Sequence, residues 1–192
     1  MNSHRDESAA AMDWNVVVTT FDGRGLRHAR RFFARYGEVG RTPFHNVLVV
    51  KVPDVGQLLR SISEALRTDV RILNEISRMV PAQATFEFNS IAEFGEKARA
   101  IALQWSDRLA GRSFHVRLHQ RRGDFSCKLS SLAEERALDE AILNKLLYRG
   151  QPGRIEFADP DLVIDIETVG SRCGMSIWSR DDRKQYPFLR PD

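Results

Sequence analysis

The sequence predicts an α/β protein of the α+β type in two modules, and three observations carry that reading. Short β-branched runs and helical stripes alternate through the first half in the order strand, helix, strand, strand, helix, strand. A helix with clear amphipathic spacing opens the second half at residue 91. Two strands of that half, 113 to 119 and 161 to 168, change sides at every residue, as half-buried strands do.

Residues 1 to 12, MNSHRDESAAAM, are polar and mixed in charge and read as a disordered tail. Trp14 to Phe21 is a buried strand stopped by Asp22-Gly23. Leu26, Ala29, Phe33 and Tyr36 recur at helical spacing over residues 24 to 36, with Arg24, Arg27, His28, Arg31 and Arg35 mostly on the opposite side, and Gly37 ends the helix. Strands follow at 38 to 43 and 46 to 52. Asp54 stands where a helix cap belongs, ahead of the stripe Val55, Leu58, Leu59, Ile62 and Leu66. One further strand between 70 and 88 closes a ferredoxin-like module over 13–89.

The second module is expected over 90–180. Ile91, Phe94, Ala98, Ile101, Ala102, Trp105 and Leu109 step by three and four until Gly111. A strand at 113 to 119, a helix at 131 to 147 and strands at 161 to 168 and 174 to 179 complete it. Ser131 and Glu134 have the spacing of a capping box. Residues 181–192, with Pro187 and Pro191, read as an irregular tail.

With 192 residues, 42% of them hydrophobic and 29% charged, the chain can build a core without disulfide or metal. Cys127 and Cys173 are too few for a secreted disulfide framework, and nothing supplies zinc-ligand spacing, so a reducing cytoplasm is the expected setting. No apolar run reaches the roughly 20 residues of a membrane span, and the start of the chain lacks a signal-peptide core. The net charge is only +3, but 24 of the 29 cationic residues are Arg. Arginine's rigid fork of donors suits phosphate, although codon bias alone also produces such an excess. Placement therefore decides.

Two stretches concentrate the charge. In FHVRLHQRRG, Phe114, Val116 and Leu118 take one face of a strand while His115, Arg117, His119 and Arg121 take the other, and Arg122 and Lys128 follow in the loop. Ser130 and Ser131 then meet the next helix at its N-terminus, where free N–H groups favour an anion. The competing reading is that the acids of DLVIDIET, Asp165 and Glu167 among them, neutralise this strand from a neighbouring one. The helix from Arg24 to Arg35 is the second stretch, with five Arg and no acid. Such a run is either a solvated face or, through Arg24, Arg27 and Arg31, an RNA contact. Dinucleotide, P-loop, nucleophile-elbow and deaminase motifs are all missing, so no catalytic residue, cofactor or metal site is assigned.

The succession FHVRLHQRRGDF, a serine-capped helix, GRIEFADPDLVIDIE and RCGMSIW resembles the THUMP domain, with Asp159 to Glu167 as its most specific part. The resemblance spans residues 90 to 180, and NVVVTT and FHNVLVVKV before it look most like the stand-alone THUMP proteins that are adaptors of tRNA cytidine acetylation. It implies a tRNA-binding protein, not itself an enzyme, that grips the acceptor stem and 3′ end and presents the tRNA to a modifying enzyme, an acetyltransferase. On this resemblance Arg117, His119, Arg121, Arg122, Lys128, Ser130 and Ser131 contact RNA. A tRNA-modifying enzyme with an unrecognised active site and a protein-interaction scaffold are the alternatives.

Overall fold

A computed structural model describes residues 12–68, 74–121 and 129–189. They form two units, one running to Gln83 and taking back the segment from Arg183, the other spanning Ala84–Asp182.

In the first unit β1 (Val16–Thr20), α1 (Gly23–Phe33), β2 (Glu38–Arg41), β3 (Val47–Lys51), α2 (Val55–Thr68) and β4 (Ile76–Pro81) follow the expected order. The strands make an antiparallel sheet in the order β2-β3-β1-β4. Val16 to Val18 are buried on both faces, as the unbroken β-branched run requires. Asp22 caps α1 by accepting the Gly25 N–H at 2.7 Å, a bond that holds its carboxyl below the usual range. Ala29 and Phe33 turn to the core, and the arginines of α1 face solvent. Two glycines set the geometry around this helix. A Cβ on Gly25 would come within 2.9 Å of the Glu75 carbonyl oxygen, and one on Gly37 would collide with the Lys51 carbonyl. The helix ends at Phe33 with Ala34 as its cap, short of the expected Gly37, which instead marks a close passage of the chain by the Lys51 backbone.

The second unit contains β5 (Ala84–Glu87), α3 (Ile91–Gln104), α4 (Ser106–Leu109), β6 (Ser113–Arg121), α5 (Ser131–Tyr148), β7 (Arg154–Ile155), β8 (Leu162–Val169) and β9 (Arg172–Ser179), and α6 (Arg180–Gln185) begins in it and ends in the first. Its sheet has the order β5-β9-β8-β6-β7, with β6 parallel to β7 and β8 and the other pairs antiparallel. Phe114, Val116 and Leu118 meet Phe94, Ala98, Ala102, Leu138, Ile142 and Leu146 in its core, the face expected from alternation.

Several expectations change. The region from 70 to 88 holds two strands, β4 in the first sheet and β5 in the second, rather than one. The single amphipathic helix is broken at Trp105 into α3 and α4. The cap of α5 is Ser130, whose Oγ accepts the Ala133 N–H at 3.4 Å, one residue before the expected Ser131. The final segment is not an irregular tail throughout: α6 runs to Gln185, Phe188 and Leu189 are buried, and the Met79 N–H donates to the Phe188 carbonyl. Burial of two apolar side chains offsets the cost of ordering the chain there.

Beyond Phe114, where its pairing with β7 stops, the outer edge of β6 is closed by helix side chains. The Val116 N–H donates to Asp139 Oδ1 at 3.0 Å and the Leu118 N–H to Glu135 Oε1 at 2.8 Å. Positions i and i+4 of α5 thereby replace a neighbouring strand. Burial pushes the Asp139 carboxyl up to about 7, against the pull of the Val116 N–H and with the Glu135 charge adding to the rise. Between about pH 4 and 7 the folded chain holds a proton there that the unfolded chain releases, so this group's contribution to stability falls as pH rises through that window. Asp139→Asn keeps an oxygen for Val116 and removes the titration. Its expected result is a gain over the parent at pH 8, at most roughly 4 kcal/mol for three pK units, that vanishes near pH 4. Urea unfolding across pH checks this, and a gain independent of pH would contradict it.

Candidate nucleic-acid interface

The two basic stretches differ in one respect that matters for a polyanion. On β6 the register sets Arg117 opposite Asp165 and His119 opposite Glu167 of β8. Arg121 Nη2 lies 3.7 Å from Glu167 Oε2, with Glu167 only 1% exposed and Asp165 3%. Arg117, His119 and Arg121 are all engaged within the fold. His115, expected on the same outward face, is buried, donates from Nδ1 to the Glu156 carbonyl at 2.8 Å and packs beside Phe157. The expected open cationic strand is therefore compensated across the sheet. Parallel neighbours in register bring every second side chain onto the same row, so alternating bases on one strand and alternating acids on the next meet directly.

Arg122, Lys128 and Cys127 lie outside the described residues. Ser130 is occupied as the cap of α5, and Ser131 Oγ accepts from Gln120 Nε2 at 2.9 Å. Burial pushes the Cys173 thiol well above its ordinary range, with the Glu167 charge acting in the same direction.

The helix α1 is the opposite case. Arg24, Arg27, Arg30 and Arg31 are all exposed, and among the described residues none has a carboxylate within 4.0 Å. Asp22 feels the charges of Arg24 and Arg27, but its side chain is committed to the Gly25 N–H. From Arg24 to Arg31 the helix advances about 10 Å, long enough for successive arginines to meet successive phosphates of one strand. Arg30 and Arg31 also suit the negative end of the helix dipole, so the ridge costs the helix little. Arg41 of β2 joins Arg27 and Arg30 around a cleft of about 230 Å³ on one flank.

The other flank holds a feature that periodicity does not reveal. A cleft of about 410 Å³ is lined by His28, Arg31, Phe32, Arg35 and Glu75. His28 Nδ1 donates to Glu75 Oε1 at 2.5 Å, a contact made available by the close approach of Gly25 to the Glu75 backbone. The Arg35 guanidinium lies over the Phe32 ring at 4.5 Å, reaches Tyr36 at 5.6 Å, and is tied down by its Nε–H donating to the Phe32 carbonyl at 3.2 Å. Glu75 is 47 residues from His28 in sequence, so only the fold brings the pair together.

No protein-family model matches the sequence, and neither does any curated protein. Solved structures do match. PH1313 from Pyrococcus horikoshii superposes with a TM-score of 0.56 at 17% identity over 85% of this chain and 54% of that one. TrmN from Thermus thermophilus gives 0.52 at 19% identity over 84% and 44%. A protein described as a predicted N6-adenine-specific DNA methylase from Listeria monocytogenes gives 0.51 at 16% identity over 85% and 40%. The chain thus spans about half the length of these proteins, or less. Among the described residues no helix is long and apolar enough to cross a membrane. The expectation that the chain is not an enzyme does not hold, since its fold recurs in part of a protein described as a predicted methylase. What the chain shares with all three is a THUMP-like α+β fold.

Proposed function

We propose that this chain grips tRNA as part of an enzyme that modifies it, with Arg24, Arg27, Arg30 and Arg31 of α1 holding phosphates. One observation carries the reading: four exposed arginines on a single helix with no carboxylate within 4.0 Å among the described residues. An unneutralised ridge of this kind is what phosphate binding needs, whereas a chain-wide arginine excess is not. The resemblance of residues 90 to 180 to the THUMP domain supplies tRNA as the RNA class, and the methylase among the fold neighbours favours methyl transfer over acetyl transfer.

Four phosphates neutralised on a stem give a log-affinity against log-salt slope of about −3.6. Anisotropy of labelled tRNA between 50 and 300 mM salt, concentrations on the order of those where such slopes are read, measures it. A slope flatter than about −1 removes the electrostatic basis. Nucleoside mass spectrometry of tRNA from cells lacking the chain identifies the chemistry. A missing methyl group supports the methylase reading, and a missing acetyl group supports the cytidine acetylation implied by the resemblance.

A further inference from the structure

The cleft beside α1 has the composition of a site for one unpaired nucleotide. Its wall is the Phe32 ring with the Arg35 guanidinium over it, held in place by the Arg35 Nε–H bond to the Phe32 carbonyl and by Tyr36. Bases stack on aromatic rings and on guanidinium planes alike. Arg31 also lines the cleft, exposed and without a carboxylate within 4.0 Å among the described residues, a group able to hold a phosphate. The His28–Glu75 pair adds polar ring and carboxylate atoms beside the platform, the kind of edge that a base's polar rim can meet. The volume of about 410 Å³ lies in the range of small-ligand sites and admits a nucleotide.

We propose that the cleft lined by His28, Arg31, Phe32, Arg35 and Glu75 takes an unstacked nucleotide of the bound RNA, its base on the Phe32–Arg35 platform and its phosphate on Arg31. This rests on the reading of the chain as an RNA binder. It adds a preference for an unpaired residue next to the stem that the arginine ridge tracks.

The test uses the full chain with adenosine 5′-monophosphate, ribose 5-phosphate, an unpaired oligoadenylate and a blunt RNA duplex. In NMR titrations the monophosphate is expected to move the resonances of Phe32, His28 and Arg35, and ribose 5-phosphate to leave Phe32 in place. Arg35→Lys keeps the charge and loses the plane, and Phe32→Leu keeps apolar volume and loses the ring. Each is expected to lower oligoadenylate affinity by roughly five- to hundredfold, the span of one stacked base, while duplex affinity changes less than about twofold. Equal losses on both RNAs, or equal responses to the monophosphate and the sugar phosphate, overturn the nucleotide site and leave the arginine ridge standing. A chain that binds neither RNA overturns both. Arg35→Lys alters one exposed side chain, so the outcome does not depend on the folding of Phe32→Leu.

Discussion

Replacing Arg24, Arg27 and Arg31 together with Ala is expected to lower tRNA affinity by roughly two orders of magnitude near 0.1 M salt and to flatten the salt slope by about 2.7. All three side chains are exposed and make no ion pair among the described residues, so thermal stability is expected to change by no more than about 0.5 kcal/mol per site. Binding and melting measured on the same preparation decide the matter. Loss of affinity without loss of stability identifies a surface kept for a ligand. Parallel losses identify a helix that needs its arginines to fold, and an unchanged affinity moves the RNA elsewhere.

The reverse pattern is expected on β6. Glu167→Ala leaves Arg121 without the carboxylate 3.7 Å away, in a row where Arg117 and Asp165 are also paired by register. Breaking a buried pair from one side is costly because the remaining group loses its compensation while staying out of water, and roughly 3 kcal/mol is the expected loss. Arg121→Ala is expected to cost at least as much, since it leaves Glu167, 1% exposed, without that cation, whereas Arg121 keeps 21% of its side chain exposed and can reach water. RNA affinity at a temperature where both variants are folded is expected to stay within about twofold of the parent. Urea unfolding and anisotropy together test this, and a variant that keeps full stability while losing RNA would return the interface to the strand.

The first unit was readable because its signals are local. Val16 to Val18 and Val47 to Val50 are apolar runs ended by turn residues, and the stripes of α1 and α2 repeat within one helix. The short edge strands β5 and β7, of four and two residues, carry no periodicity of their own and exist because β9 and β6 offer a ladder to complete. The charged rows show the same limit from the other side. Alternation in FHVRLHQRR and in DLVIDIET is plain in the sequence, but whether it makes a binding face or an internal pairing depends on strand order and register, which are long-range. The arginines of α1 needed no such information to be found. Their partner groups in the flanking cleft did, since Glu75 follows α2 in the chain, far from α1 in sequence.

The carboxylates that α5 lends to β6 also decide what the sheet can recruit. Glu135 and Asp139 have already claimed the amides of Leu118 and Val116, so a foreign β-segment seeking to extend the sheet past the short β7 finds these two donors taken. Resistance to fibril growth along that flank is thereby written into two acidic positions one helical turn apart, and shortening both would create a sticky border where the native chain has a finished one.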